Sequence, residues 1–425
     1  MIADDRPTLG IGMVGYAFMG RVHSQAWRSV GAFFDLPVRP VMAALGGRSK
    51  EATTAAARDL GWAAAETDWR DLIARDDVQV VDICTPGDSH AEIAIAALAA
   101  GKHVICEKPL ANSVAEAEAM AAAARAAAGR GVHAMVAFNY RRVPAVALAR
   151  RWVAEGRLGR LHHVRAQYLQ DWIADPAFPL VWRLQRERAG SGALGDIGAH
   201  VIDTAQFITG ELLEGVSALT ETFVKERPLA GASAGLSATG ATAPADGTAG
   251  GTADGAAGGA AANPAGATVD GAVATGAVDV DDAALFIGRF SGGALGSFEA
   301  TRFATGRKNA LRIEVNGSKG SLAFDFEAMN ELWFHDHTLP AAEAGFRRVI
   351  VTEAEHPYAA AWWPPGHGLG YEHTFTHEIK DFVEAVAAGV APAPSFADGL
   401  RVQRVLAAVE ASAADGSRFT PVEES

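Results

Sequence analysis

The chain has 425 residues, of which 49% are apolar and 20% are charged. One hydrophobic core stops growing at about 250–300 residues, so this length predicts two domains. Thirty-seven Lys and Arg against fifty Asp and Glu give a net charge of -13, which excludes a broad nucleic-acid surface, because duplex binding needs clustered basic charge. No apolar stretch of about 20 residues predicts a membrane span. Two cysteines, Cys84 and Cys106, are too few for a disulfide framework, and we expect a soluble cytoplasmic protein.

Short apolar runs alternate with helical patterns along the first third of the chain. The runs are Leu9–Val14, Val38–Leu45, Val78–Cys84, His103–Cys106 and His133–Ala137, and the helical patterns include Lys50–Leu60, His90–Ala100 and Val114–Ala128. Because the runs lack polar alternation, they are typical of parallel strands covered on both faces. This order predicts an α/β fold with a doubly wound parallel sheet in a first domain, residues 1–138.

The pattern changes in the rest of the chain, where predicted strands follow each other directly. The strands are Leu161–Tyr168, Gly215–Val224, Val280–Phe290, Ala294–Ala300, Leu311–Val315 and Ser321–Phe326, and the helices are Gly195–Ile208, Tyr371–Ala388 and Phe396–Ala414. The sequence predicts a second, α+β domain, residues 139–425, with an open, largely antiparallel sheet. An open sheet has one bare face, so we expect a ligand or a second subunit there, and a homo-oligomer, dimer or tetramer.

Residues 229–277 are an insert of different composition. They include no aromatic residue, Lys or Arg and are mostly Ala, Gly, Thr and Ser. Such a segment cannot bury enough apolar area to offset the entropy that ordering costs. We expect a mobile surface loop, and an active-site lid is the alternative.

A glycine-rich turn follows the first predicted strand. Gly15-Tyr16-Ala17-Phe18-Met19-Gly20 has the spacing of the dinucleotide fingerprint, with Ala17 in place of the middle glycine. Glycines allow a tight turn and let the free N–H groups of a helix N-terminus approach a pyrophosphate. The position between a strand and a helix favours a dinucleotide site over a turn without a ligand.

The acidic residue that binds the adenosine ribose is missing after the second predicted strand. No Asp or Glu occurs between Asp35 and Glu51. Arg48, Ser49 and Lys50 stand there instead, and they either receive a 2′-phosphate or begin the next helix in solvent. The residues alone leave NAD and NADP open as the coenzyme.

Charged and polar residues also follow two other buried strands. Glu107-Lys108-Pro109 comes directly after one strand, and Thr85-Pro86 with His90 comes after the other. A charged pair is costly at the end of a buried strand, and open α/β sheets bind their ligands at this edge. These segments therefore predict part of a functional site.

Together these motifs resemble those of the Gfo/Idh/MocA oxidoreductases. The resemblance rests on the glycine-rich turn, Thr85-Pro86 with His90, residues 100–103 and, most specifically, Glu107-Lys108-Pro109, and it covers nearly the whole chain apart from the insert. It implies a Rossmann domain that binds NAD(P), a C-terminal sheet that carries a sugar or polyol, and Lys108 as the family's lysine. It also implies that the peptide bond before Pro109 is often cis.

Four further segments are similar to the levoglucosan dehydrogenases of that family, and less specifically to its inositol dehydrogenases. They are residues 135–142, 168–172, 179–183 and 190–200. The similarity implies oxidation of a secondary hydroxyl of a sugar or cyclic polyol, levoglucosan at C3, with NAD as the coenzyme. Inositol 2-dehydrogenase activity is the alternative.

Asp196 and His200 are a third candidate for chemistry, because residues four apart share one face of a helix. The glycines before them, at positions 190, 192 and 195, suit a chain that enters a helix close to a ligand. Oxidising an alcohol requires removal of the hydroxyl proton, for which histidine is suited near neutral pH. We expect His200 to be the base, Lys108 to stabilise the charge on the substrate oxygen, and Asp196 to hold a sugar hydroxyl or orient the other two. An ordinary helix pair is the alternative.

Planar polar groups beside aromatic rings suit sugar recognition. With the resemblance, the expected coenzyme contacts are Gly15, Ala17, Phe18, Met19, Gly20, Arg48, Ser49, Thr85, Pro86, His90, Glu107, Lys108, Asn139, Trp182 and Arg183. The expected substrate contacts are Tyr140, Arg141, Gln170, Asp171, Asp196 and His200, with Tyr168 and Trp172 beside them. Trp182 and Arg183 either pack beside the nicotinamide or contact the sugar.

No metal site is predicted. His373 and His377 have a helical spacing that fits a solvated helix face, and His335 and His337 alternate on a strand without a third ligand. Two other functions stay open, coenzyme-assisted cleavage of a glycoside and an NAD(P)-binding sensor without catalysis. The combination of Lys108, Asp196 and His200 favours the dehydrogenase.

Overall fold

The computed structural model describes residues 5–229, 268–269 and 272–423, and its first sheet has six parallel strands. The strands are β1 (Thr8–Val14), β2 (Arg39–Gly46), β3 (Ala64–Glu66), β4 (Val80–Ile83), β5 (His103–Glu107) and β6 (Ala134–Ala137), in the order β3-β2-β1-β4-β5-β6. This is the strand order of a Rossmann fold, whose ligands lie at the carboxyl ends of the strands where the order reverses. The predicted doubly wound sheet is confirmed.

Helices cover both faces of this sheet, as strands without polar alternation require. They are α1 (Phe18–Phe33), α2 (Lys50–Leu60), α3 (Trp69–Ala74), α4 (His90–Ala99) and α5 (Val114–Ala128). Alternate residues of one strand enter opposite clusters: in β5, Val104 and Cys106 pack with α4 and α5, whereas Ile105 packs with α1. The α2 and α5 bounds are the predicted ones.

The second sheet has nine strands in the order β18-β17-β16-β15-β7-β14-β13-β8-β19. The strands are β7 (Leu161–Leu169), β8 (Leu213–Glu221), β13 (Ala283–Phe290), β14 (Leu295–Thr301), β15 (Ala310–Gly317), β16 (Gly320–Asp325), β17 (Glu331–Asp336), β18 (Phe346–Ile350) and β19 (Thr420–Pro421). Two short pairs lie outside it, β9 (Glu226–Pro228) with β12 (Thr275–Ala277), and β10 (Thr268–Val269) with β11 (Ala272–Val273). Every neighbouring pair in the nine-stranded sheet is antiparallel except β7 with β14, so the predicted open, largely antiparallel sheet is confirmed.

Within the described ranges, helices cover one face of the second sheet and leave the other without a helix. The covering helices include α6 (Pro144–Ala154), α8 (Ala199–Thr209) and α10 (Phe396–Ala414). The four-residue α7 (Arg186–Ala189) lies in the loop before α8. Along β7, Val164, Ala166 and Tyr168 are buried beneath the helices, whereas Arg165 points to the other face and is exposed. Period-two alternation produces this division.

One helix of the C-terminal half packs against the first sheet. In α9 (Tyr371–Ala388), Phe375, Ile379 and Phe382 belong to the same buried cluster as Ile11 of β1 and Trp27 of α1. A boundary near residue 138 therefore does not separate two independent cores, and that boundary stays a prediction. Strands β3, β18 and β19 were not predicted, because they are short or consist largely of polar residues.

The insert predicted at residues 229–277 lies largely outside the described residues. At its base, Gly276 pairs with Arg227 in the β9–β12 ladder, and the Leu229 amide donates to Ala274 O. Among the described residues no helix is long and apolar enough to cross a membrane.

We expect Phe382→Ala to lower the free energy of unfolding by about 3–5 kcal/mol, because it leaves a cavity between α9 and the first sheet. Urea denaturation monitored by tryptophan fluorescence measures this loss. Phe419→Ala, at an exposed site, is the control and should change the free energy by about 0.5 kcal/mol or less. A cost of less than about 1 kcal/mol for Phe382→Ala would contradict the packing role of α9.

Candidate active site between the two sheets

The glycine-rich turn places the N-terminus of α1 at the carboxyl edge of the first sheet. Gly15 has φ +100°, and a Cβ there would lie 2.7 Å from Cys84 O. A Cβ at Gly20 would lie 2.2 Å from Gly15 O, so only glycine allows this close helix–strand packing. Ala17 precedes α1 without a side-chain cap, and no acidic residue stands in the first turn. The free N–H groups of Phe18 and Met19 therefore suit a pyrophosphate, and the turn fits a dinucleotide.

The residues after β2 have partly structural roles. The Ser49 hydroxyl accepts a hydrogen bond from the Ala52 amide and caps α2. Arg48 is exposed beside it. Ser49 thus starts the helix, and a role for Arg48 toward a 2′-phosphate stays a prediction.

His90 connects the loops that follow β4 and β5. Its Nδ1 lies 3.0 Å from Pro109 O, and its Nε2 lies 2.9 Å from Thr85 O. Both ring nitrogens are therefore occupied by protein carbonyls. His90 and Thr85-Pro86 shape the edge of the crevice, and the Lys108–Pro109 peptide bond in it is cis.

Glu107 points beneath the strand ends instead of into the crevice. Its Oε1 lies 3.0 Å from Nε2 of His23, and its Oε2 accepts the Lys108 amide at 3.1 Å. The other side of His23 faces Asp82, at 2.9 Å. Sequence reasoning missed His23 and Asp82, and both Glu107 oxygens, expected to contact the coenzyme, have protein partners.

Lys108 crosses from the first sheet to the element that carries Asp196. Its Nζ donates to the Asp196 carbonyl oxygen at 2.6 Å and lies 3.4 Å from Asp196 Oδ1. Asp196 stands in a single π-helical turn, Leu194–Gly198, which continues into α8. Such turns often occur at functional sites. The predicted helix at Gly195–Ile208 thus begins with this wider turn.

Two arginines hold the other side of Asp196. Its Oδ2 lies 3.4 Å from Nη1 of Arg302 and 3.8 Å from Nε of Arg183. Arg302 is fully buried, and the Arg183 guanidinium stacks on the Trp182 ring at 4.4 Å. Burial alone would raise the pKa of Asp196, but Lys108 and the two arginines hold it well below its usual value. Asp196 is therefore ionised, and Trp182 and Arg183 stand on its side of the crevice.

His200, in the first turn of α8, is a buried neutral imidazole. Burial and the nearby Lys108 ammonium lower its pKa well below the usual value, and Asp196 opposes this only in part. Its Nδ1 has no hydrogen-bond partner among the described residues, and its ring lies 4.7 Å from the Tyr140 ring. The imidazole is thus in the form that accepts a proton.

A chain of polar side chains lines the wall beside His200. The Tyr140 and Tyr168 hydroxyls lie 2.5 Å apart, and the Tyr168 hydroxyl donates to Asn309 Oδ1 at 2.7 Å. Gln170 Nε2 donates to the same oxygen at 2.8 Å, and Trp172 Nε1 donates to Gln170 Oε1. Four of these five residues were named from the sequence. Asn309, which joins them, was missed.

Three of the predicted ligand contacts have protein partners. Arg141 Nε lies 2.9 and 3.1 Å from the two carboxylate oxygens of buried Asp203, and Nη2 binds the same carboxylate, so two of the three guanidinium nitrogens have a protein partner. Asp171 binds Lys308 at 2.8 Å. The amide of Asn139 donates to Thr374 Oγ1 at 2.9 Å.

Gly192, before Asp196, is needed for a backbone contact. A Cβ at Gly192 would lie 1.7 Å from Asp281 O, and the Asp281 carboxylate accepts the amides of Gly192 and Leu194. At Gly192 the close approach is therefore to Asp281, whereas a ligand beside Gly190 and Gly195 stays a prediction.

The arrangement defines an NAD-binding oxidoreductase with a lysine and a histidine beside one crevice. Residues 9–137 match the oxidoreductase family with an NAD-binding Rossmann fold, and residues 146–323 match the GFO/IDH/MocA C-terminal domain. The chain belongs to the GFO/IDH/MocA oxidoreductase family.

Several proteins are similar over almost the whole chain. Levoglucosan dehydrogenase from Pseudarthrobacter phenanthrenivorans is 43% identical, covering 96% of this chain and 97% of that protein. The crystal structure of an oxidoreductase domain protein from Kribbella flavida is 61% identical with a TM-score of 0.87, covering 98% of this chain and 100% of that one. Levoglucosan dehydrogenase in complex with NADH and levoglucosan has a TM-score of 0.85 at 40% identity, with coverage of 98% and 100%.

Glu378 of α9 is a buried carboxyl group that faces the region beneath this site. Burial raises its pKa to about 8, although Arg142 and His23 oppose the rise. The unfolded chain ionises this residue near pH 4.3, so the wild-type protein binds the extra proton only when folded and loses stability as the pH rises from about 4.3 to about 8.

We expect Glu378→Gln to remove this loss, because glutamine keeps the shape and cannot ionise. The variant should match the wild type near pH 4.3 and exceed its free energy of unfolding by about 3–4 kcal/mol at pH 7. Urea denaturation from pH 5 to pH 8 measures the difference. A difference that stays constant over this range would contradict a raised pKa.

Proposed function

We propose that this protein oxidises the C3 hydroxyl of levoglucosan, or of a closely related anhydro-sugar, with NAD. The observation that carries the proposal is the meeting of three groups from separate parts of the chain: Lys108 after β5, Asp196 in the π-helical turn and His200 in α8. The 43% identity with levoglucosan dehydrogenase along nearly the full length supports this substrate.

The proposed mechanism assigns one task to each of the three residues. NAD, when bound, supplies the acceptor for the hydride that leaves the oxidised carbon. The neutral imidazole of His200 receives the hydroxyl proton, and the ammonium of Lys108 hydrogen-bonds the same oxygen as negative charge develops on it. The Asp196 carbonyl oxygen accepts the lysine amine at 2.6 Å, and the ionised Asp196 side chain, held by Arg183 and Arg302, lies 3.4 Å from the same amine. Because Lys108 disfavours a charged His200, the imidazole does not retain the proton it receives.

Three other functions are weaker by comparison. Inositol dehydrogenases are also relatives, at lower identity than levoglucosan dehydrogenase. A sensor without catalysis would not need a buried neutral histidine beside a lysine. Coenzyme-assisted glycoside cleavage differs in its products, because it regenerates NAD and releases an aglycone.

The substrate assignment is tested by following NADH at 340 nm with levoglucosan, myo-inositol and a simple glycoside. We expect stoichiometric NADH from levoglucosan and a lower kcat/KM with myo-inositol. Aglycone release without net NADH would instead support glycoside cleavage. Coenzyme binding without turnover of any sugar would support the sensor.

Replacing Lys108 or His200 with alanine should lower kcat by roughly 10²–10⁴-fold, the usual scale for loss of acid–base assistance. NADH binding, measured by its fluorescence, should stay close to that of the wild type. Lys225→Ala removes an exposed lysine outside the site and serves as the control. Unchanged turnover in either site variant would exclude that residue from the mechanism.

We also propose that two copies pair through the helix-free face of the second sheet. This face has a groove of about 750 Å³ with exposed Leu219, Leu285 and Ile287, and a large exposed apolar patch on a protein marks an interaction site. Arg165 and Glu314 lie on the same face, so this face offers both a positive and a negative charge to a copy related by a two-fold axis.

The two free, buried cysteines support a reducing compartment such as the cytoplasm.

Ile287→Asp should convert the oligomer to a monomer, because it buries an unpaired charge at the centre of that interface. Light scattering should give the wild type at least twice the 44.2 kDa chain mass and the variant one chain mass. Val390→Asp, exposed outside the sheet, is the matched control. A monomeric wild type would contradict the pairing.

A further inference from the structure

A buried ion cluster lies beneath the carboxyl ends of β4 and β5, outside the groups assigned to the substrate. His23 of α1 is at its centre, with Nδ1 2.9 Å from Asp82 Oδ2 and Nε2 3.0 Å from Glu107 Oε1. No side chain of the three is more than 5% exposed. Trp27 Nε1 also donates to Asp82 Oδ2, at 2.7 Å. We call these four residues the His23 cluster.

His23 is held as an imidazolium by this arrangement. Carboxylate oxygens accept hydrogen bonds but do not donate them, so both ring nitrogens are satisfied only when each carries a proton. Burial lowers the pKa of His23, but Asp82 reverses the effect and raises it well above the usual value. The titratable groups that face the ring are Asp82 and Cys84 at β4, Glu107 of β5 and Glu378 of α9.

His23 and Asp82 of this cluster, together with the neighbouring Cys84, are residue types that can also bind a metal ion. The His23, Asp82 and Cys84 ligand atoms lie within 4.8 Å of one another. However, Nδ1 of His23 is hydrogen-bonded to the Asp82 carboxylate, and the Cys84 thiol donates to the same carboxylate at 3.6 Å. The hydrogen bonds occupy the directions that an ion would need, and the cluster is a charged hydrogen-bond network.

This network reaches Lys108 through the backbone. The Glu107 oxygen that does not face His23 accepts the Lys108 amide at 3.1 Å. The amine of the same lysine donates to Asp196 O at 2.6 Å. Lys108 is therefore fixed at both ends, its backbone by the His23 cluster and its amine by the C-terminal half.

We propose that His23 is a positioning residue of the dehydrogenase, which fixes Glu107 and through it the Lys108 backbone, so that the amine meets the substrate oxygen at one distance. The inference rests on the role proposed above for Lys108. A buried polar network with every member satisfied is rigid, and a displacement of about 1 Å at a reacting group can cost about 10²-fold in rate.

His23→Gln is the first test, because glutamine keeps one donor toward Glu107 and removes the cation between the carboxylates. We expect kcat to fall about 10²-fold, in line with such a displacement, with a smaller change in KM. His133→Gln replaces a buried histidine before β6, at the opposite edge of the sheet, and should leave both unchanged.

A double variant, His23→Gln with Asp82→Asn, keeps the formal charge of the cluster at one negative unit and still allows a chain of hydrogen bonds from residue 82 through residue 23 to Glu107. We expect it to regain kcat to within about tenfold of the wild type, since its donors still hold Glu107. A double variant that folds but is no more active than His23→Gln would overturn the positioning role.

The lysine itself gives a readout that does not depend on turnover. Reductive methylation of Lys108, followed by peptide mass spectrometry without coenzyme or sugar, should be several-fold faster in His23→Gln, because the amine is no longer held against Asp196. Unchanged labelling of Lys108 would reduce His23 to a structural residue. If the wild type oxidised no sugar, the labelling would still decide the positioning claim, and only the proposed function would fail.

Discussion

The contact between Lys108 and Asp196 joins the two halves of the molecule at the point where chemistry is expected. The lysine stands at the end of a buried parallel strand, and the aspartate stands in a π-helical turn that the second sheet supports. Their 2.6 Å hydrogen bond, from Nζ to the Asp196 carbonyl, requires the edge of one sheet to meet a helix of the other. The crevice, the placement of His200 and the approach of Arg302 all depend on this junction.

The site holds neighbouring groups in different charge states. Asp196 is kept ionised by Lys108, Arg183 and Arg302, whereas His200, a few residues away, is kept neutral by burial and by the same lysine. Both pKa values are lowered, so near neutral pH Asp196 is a carboxylate and His200 is a neutral imidazole, the form that can take a proton. Beneath them His23 is kept charged by two carboxylates, so three buried groups have three different electrostatic roles.

Local sequence signals predicted much of this arrangement. The glycine spacing at Gly15 and Gly20 and the polar residues after buried strands depend only on neighbours in the chain, and the structure places them at one edge. His23, Arg302 and Asn309 were missed because their partners are remote: His23 meets Glu107 84 residues away, and Arg302 meets Asp196 106 residues away. Such pairs arise from the topology of the sheets, and no short spacing in the sequence reveals them.

The same limit explains the residues that were assigned to ligands and have other partners. Arg141 was placed beside the sugar for its planar donors, but buried Asp203 occupies them. Glu107 was expected in the crevice, but its side chain lies beneath the strand ends, where it is hydrogen-bonded to His23.

The central claim is that an amine and an imidazole from different halves of the chain act on one alcohol group. A crystal structure with NAD and levoglucosan tests this claim most directly. We expect Lys108 Nζ and one ring nitrogen of His200 within about 3.2 Å of the C3 hydroxyl oxygen, the reach that proton transfer needs. A sugar whose nearest hydroxyl contacts only one of the two, or neither, would contradict the account.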